Sequence, residues 1–143
     1  MKVTQLSVFV ENKKGRLAEA VEAMAKAKIN IRALSLADTA DFGVLRVIVD
    51  SPDKAAKAMK DQGMVVKTTD VIAVEVEDKP GGLNNVLKIF KDTDINIEYM
   101  YAFVEKNNEN AVLVFRVENT DEAIKTLTKK GLKILKAEEV YNI

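Results

Sequence analysis

Two short segments carry the residue types best suited to holding a small charged molecule: Asn12-Lys13-Lys14-Gly15-Arg16-Leu17 and Asp78-Lys79-Pro80-Gly81-Gly82-Leu83. Glycine in each lets the backbone turn tightly and lets another group come close. If a helix follows, its first N–H groups and the positive end of its dipole favour a small anion such as a carboxylate. Asn30 and Asn96 form the second pair of interest. A side-chain amide offers donors and an acceptor together, which suits the zwitterionic head of an amino acid. The residues leave plainer readings open. Pro-Gly and Lys-Gly before a helix are ordinary turn chemistry, and asparagine also serves at helix C-termini. Tyr99, Tyr101 and Phe103 alternate as on one face of a strand, which favours a sheet surface over a ligand cage. Lys13-Lys14 and Lys129-Lys130 read as solvated charges rather than a phosphate patch.

Other chemistries are poorly supplied. The 143 residues include no cysteine and no histidine. Thiolate metal sites, disulfides and cysteine nucleophiles are therefore excluded, and the commonest general base and metal ligand is missing. No pair of carboxylates or lysines is spaced for acid–base work, so the chain is expected not to be an enzyme and to need no cofactor or metal. Lys plus Arg and Asp plus Glu both number 22. That balance lacks the basic surplus that phosphate contacts require, so no nucleic-acid partner is expected. The N-terminus alternates apolar and polar residues instead of showing a signal peptide, and no apolar run approaches the roughly 18 residues of a membrane span. The expected location is cytoplasmic, with no membrane partner.

The elements that would position these residues come from an internal repeat. ENKKGRL at 11–17 returns as EDKPGGL at 77–83, and Ile29-Asn30-Ile31 as Ile95-Asn96-Ile97, both 66 residues on. Val49, Asp53 and Gly63 return 68 residues on as Val117, Asp121 and Gly131. The two added residues fall between the second and third strands, in the polar turn that holds KNNEN (106–110) in one copy and ADTAD (37–41) in the other. Residues 3–10 and 71–77 alternate as strands. Leu17, Ala20, Val21 and Met24 give one helix face, and Leu83, Val86, Leu87 and Phe90 give it again. Further strands are predicted at 29–36, 42–49 and 64–70, and at 95–104, 111–118 and 133–141. Ser51-Pro52-Asp53 predicts a helix start with a hydroxyl cap, and Asn119-Thr120-Asp121 predicts another. Gly63 and Gly131 sit where helix ends favour a left-handed residue.

The fold class is thus α+β: two tandem ferredoxin-like βαββαβ units, residues 1–69 and 70–143, with antiparallel sheets and helices on one face. Units of this size have small cores, and exposed strand edges predict a homodimer. An RNA-recognition role on this topology needs aromatic and basic residues on the central strands, and FGVLRVIV and AVLVFRVE lack them. An acylphosphatase role lacks an Arg-bearing phosphate loop, and metal transport lacks a C-x-x-C motif.

A strand, D-K-P-G-G-L, a helix and then I-N-I strongly resembles the ACT domain, and N-K-K-G-R-L with I-N-I resembles it more loosely, with Lys14 where the proline would stand. The resemblance covers the chain as two tandem copies. It implies a free amino acid bound where two units meet, and a regulatory role in amino-acid metabolism. It places ligand contacts at Asn12, Gly15, Arg16, Leu17, Asn30 and Ile31, and at Asp78, Gly81, Gly82, Leu83, Asn96 and Ile97. The amides of 15–17 and 81–83 would hold the α-carboxylate. The asparagines and Asp78 would hold the α-ammonium, and Leu17, Leu83, Ile31 and Ile97 would line the pocket. Lys14 implies that the two loops differ in stiffness and in affinity. The alternative is an interaction subunit that binds no metabolite and docks a metabolic enzyme.

Overall fold

Leu6, Val8 and Val10 alternate with Ser7 and Phe9, and this period-two pattern forms strand β1 (Val3–Glu11) with one face toward a core. In the computed structural model, which describes residues 1–38, 41–105 and 109–143, the chain divides into two units. One is Thr4–Thr69, and the other is Asp70–Ile143 with Met1–Val3. The turns assigned to 37–41 and 106–110 fall partly outside the described residues.

The first unit follows β1 with α1 (Arg16–Lys26), β2 (Ile31–Asp38), β3 (Phe42–Val49), α2 (Pro52–Asp61) and the opening of β4 (Val65–Glu77). Its strand order is β2-β3-β1-β4, and the pairs β1/β3 and β2/β3 are antiparallel. Val8 lies opposite Leu45 and Val10 opposite Gly43, which turns the apolar rows of β1 and β3 to the same side. Ala20, Ala23 and Met24 of α1 and Ala55, Ala56 and Met59 of α2 pack on that side. The helices therefore cover one face, as the α+β pattern requires.

The second unit repeats this with the rest of β4, then α3 (Gly82–Lys91), β5 (Ile97–Ala102), β6 (Asn110–Val117), α4 (Thr120–Lys129) and β7 (Lys133–Ile134). Here β7 and β6 flank β4, and β5 pairs β6, all antiparallel. Val86 and Phe90 of α3 and Ala123 and Leu127 of α4 cover Ile72, Val74, Leu113 and Phe115. The Phe90 and Phe115 rings lie 5.1 Å apart between centroids. The first unit has Met24 and Val47 at these positions, so the two cores are filled by different shapes.

Three expectations are corrected. The last strand is only Lys133–Ile134, and Ala137–Tyr141 form a short helix, α5. Its alanine and glutamates favour a helix, and the Glu139 carboxylate accepts the Lys136 N–H at 2.7 Å. The predicted strands at 64–70 and 71–77 are one, β4. Ser51 occupies the N-cap of α2 but its hydroxyl makes no capping bond; Pro52 at the first position and Asp53 in the first turn mark the start instead. Asn119 does cap α4, its side-chain oxygen accepting the Glu122 N–H at 3.1 Å. At the ends of α2 and α4, Gly63 and Gly131 have φ of 80° and 92°. Lys28 takes the same left-handed role after α1, with φ 58°.

Candidate functional site

Both glycine loops enter their helices in the same way. Gly15 and Gly81 stand at the N-caps of α1 and α3 with φ of 89° and 88°, a conformation that a Cβ disfavours. Having no side chain, they leave each helix start without a side-chain cap. The Arg16 N–H donates to the Lys13 carbonyl at 3.2 Å, and the Gly82 N–H to the Lys79 carbonyl at 3.0 Å. Of the amides expected to hold a carboxylate, these two are therefore engaged inside the turns. Those of Leu17 and Leu83 lie in the first helical turns, where no intrahelical acceptor exists.

The loops then diverge. A Cβ on Gly82 would collide with the Glu77 carbonyl oxygen, so this turn tolerates no side chain there. The first loop has Arg16 at the same place, with a guanidinium that donates to the Glu19 carboxylate at 3.0 Å. That bond raises the Arg16 pKa. Glu11 pairs with Lys13 at 3.1 Å. The hydrogen bond from Lys13, then the charges of Lys13 and Arg16, hold the Glu11 carboxyl below the usual glutamate range. Lys79 pairs with Glu77 in the second loop.

Beside the first loop lies an open cleft of about 280 Å3. Val10, Leu17, Leu36 and Gly43 supply its apolar wall, and Glu11, Asn12 and Lys13 its polar rim. Leu17 begins the apolar stripe of α1, yet it stays 38% exposed while Ala20 and Met24 are buried. Leu83 on α3 is likewise 40% exposed. Both leucines lie outside their cores, free to touch something else. Leu36 is 50% exposed although it lies opposite the buried Leu45, because β2 pairs β3 on one side only among the described residues. A second cleft of about 300 Å3 brings Phe9, Phe42 and Val65 beside Arg16 and Glu19.

Asn12 and Leu17 therefore line a cleft, with Gly15 and Arg16 in the adjoining turn. Asn30 and Ile31 do not join them. They follow the C-terminal end of α1, whose 11 residues span about 16 Å. The Asn30 N–H donates to the Asp50 carboxylate at 3.1 Å, and Ile31 packs against the core. In the second unit Asp78, Gly81, Gly82 and Leu83 share one turn, whereas Asn96 and Ile97 lie beyond the far end of α3. Tyr99 and Tyr101 lie opposite Arg116 and Val114, the side of β6 away from α3 and α4. Sequence reasoning missed Leu36, Gly43 and the Glu11–Lys13 pair. A glycine inside a strand, which often marks a close approach, was the available signal for Gly43.

A family model described as an ACT domain pair matches residues 1–143. The chain belongs to the ACT domain pair family. The crystal structure of protein BT0572 from Bacteroides thetaiotaomicron is similar to this ACT pair, with 45% identity over 100% of this chain and 98% of that one and a TM-score of 0.92. The ligand-free regulatory subunit of aspartate kinase from Thermus thermophilus shares the fold, at 14% identity over 90% of this chain and 92% of that one, TM-score 0.63. The corresponding subunit from Thermus flavus does so at 13% identity over 88% of each chain, TM-score 0.62. No curated protein matches the ACT pair. None of its described helices is long and apolar enough to cross a membrane.

Proposed function

We propose that this ACT pair is a regulatory protein that responds to a free amino acid held in the cleft beside residues 12–17. The observation that carries the proposal is the juxtaposition of a 3.1 Å Lys13–Glu11 pair with the half-exposed Leu17 and Leu36 around one opening. Opposite charges beside an apolar wall match a zwitterion with a side chain. In this proposal the cytoplasmic chain acts without catalysis. It forms a homodimer through the open edge of β2, and a metabolic enzyme is the partner it regulates. The fold it shares with aspartate kinase regulatory subunits supports that partner class. Asn30 and Asn96 enter a site when a second copy brings its own loop to them.

The test is a thermal-shift screen of the full chain over the twenty amino acids. A ligand seen only by the folded state stabilises by about 2.7 kcal/mol at a hundredfold excess over Kd. A flat response to millimolar concentration overturns the proposal. The exposed Phe9, Phe42 and Val65 favour a second reading, an interaction subunit that binds no metabolite. A flat screen combined with partner binding that persists in Gly15→Val and Leu17→Ala variants would establish it.

A further inference from the structure

We infer that the amino acid taken by the first unit's cleft has an uncharged aliphatic side chain, selected by Leu17, Leu36 and Gly43. The inference rests on the proposed function above and narrows its ligand class. Lys13 and Glu11 form a balanced pair at the rim. One answers the α-carboxylate and the other the α-ammonium, which leaves no charge over for an ionised side chain. Asn12 completes the rim, and the wall below it is Val10, Leu17, Leu36 and Gly43, none of which has a polar side chain. A polar ligand side chain pressed there loses water and gains no partner.

Gly43 sets the room available. A methyl on it would stand 3.3 Å from the Leu36 Cδ1 atom, so the bare glycine is what keeps that side of the cleft open. In the second unit Ala111 stands where Gly43 does and Ala102, opposite Leu113, stands where Leu36 does, so that unit lacks the leucine wall and the aliphatic site is placed in the first. At about 280 Å3 the opening is at the small end of ligand pockets, which favours a branched aliphatic chain over an aromatic ring.

Calorimetric titration of the full chain with leucine, isoleucine and valine, against aspartate, lysine, glutamine and phenylalanine, tests this. The aliphatic group is expected to bind at least about tenfold more tightly. Leu17→Ala and Leu36→Ala, both at exposed positions, should each weaken it about tenfold. Gly43→Val should abolish it, with Gly43→Ala as the milder variant if valine perturbs folding. Tighter binding of a charged, polar or aromatic amino acid overturns this inference and leaves the proposed function standing. Aliphatic binding that ignores Leu36→Ala and Gly43→Ala overturns the location. Binding of no amino acid at all overturns the proposed function, and the inference with it.

Discussion

The same three strand positions, on the side turned away from the α1/α2 core in the first unit and from the α3/α4 core in the second, hold opposite chemistries. In the second unit Glu75 on β4 lies opposite Lys133 on β7 and bonds it, while the Asn110 amide donates to the Glu75 carboxylate at 2.9 Å. In the first unit these places are Phe9, Val65 and Phe42, with exposures of 44%, 65% and 54%. The backbone pattern is shared, so strand pairing does not depend on these side chains. The second unit encloses a carboxylate and satisfies it locally. The first leaves a cleft-lining apolar surface facing outward, of the kind that marks an interaction site when it is contiguous. Duplication preserved the framework, and the surfaces and loops carry the difference.

Core substitutions should separate the copies most strongly. Phe115→Ala removes a fully buried ring that stacks near Phe90 and should cost about 3–5 kcal/mol. Val47→Ala, at the corresponding place, should cost about half of that, read from urea melts. Next comes Gly82→Ala, whose methyl would collide with the Glu77 carbonyl oxygen; we expect a loss of about 2 kcal/mol. Arg16→Ala in the other loop should leave the urea midpoint essentially unchanged. Equal effects at the two positions would show that the loops are not different in kind.

Glu75 gives a smaller effect with a pH signature. Burial pushes its carboxyl up, but hydrogen bonds from Lys133 and Asn110 and the Lys133 charge outweigh this and hold it below the usual glutamate range. The bond to Glu75 raises Lys133 in turn. A lowered folded-state pKa stabilises above the unfolded value, and that contribution disappears as pH falls through the folded one. The raised Lys133 contribution is complete below its ordinary value and disappears as pH rises through the folded one. Because Lys133 is exposed, solvent screens the pair, and Glu75→Gln should cost about 1 kcal/mol at neutral pH. The difference from the parent should close in acid denaturation series below the ordinary glutamate range. The smallest expected effect is a gain. Lys28→Gly, which relieves a left-handed lysine where α2 and α4 already use glycine, should stabilise by about 0.5–1 kcal/mol.

Most of the framework is legible in the sequence because two periodicities repeat at nearly constant offsets and the strands and helices obey them. The stripes Ala20-Met24 and Val86-Phe90 turn inward as their spacing requires. Local ends are less legible. Ala137–Tyr141 is too short for a period to show, and Lys28 carries no signal of its left-handed backbone. At the candidate site the loop segments stand out through their glycines, but the wall facing them does not. Leu36 is a residue of β2 whose pattern looks like any half-buried strand, and only tertiary placement sets it beside Leu17 and Gly43. Asn30 and Asn96 share a motif with the loops yet lie at the opposite helix ends, a separation that motif adjacency hides.

The balanced pairs described above also set what the molecule ignores. Glu11 and Glu75 move downward, Arg16 and Lys133 move upward, and the chain has neither imidazole nor thiol. Each of these four groups is thus pushed away from neutrality and keeps its charge in mildly acidic and mildly alkaline surroundings. An amino acid held as proposed beside the first loop would meet a Glu11 carboxylate and an Arg16 guanidinium that stay charged on either side of neutral pH.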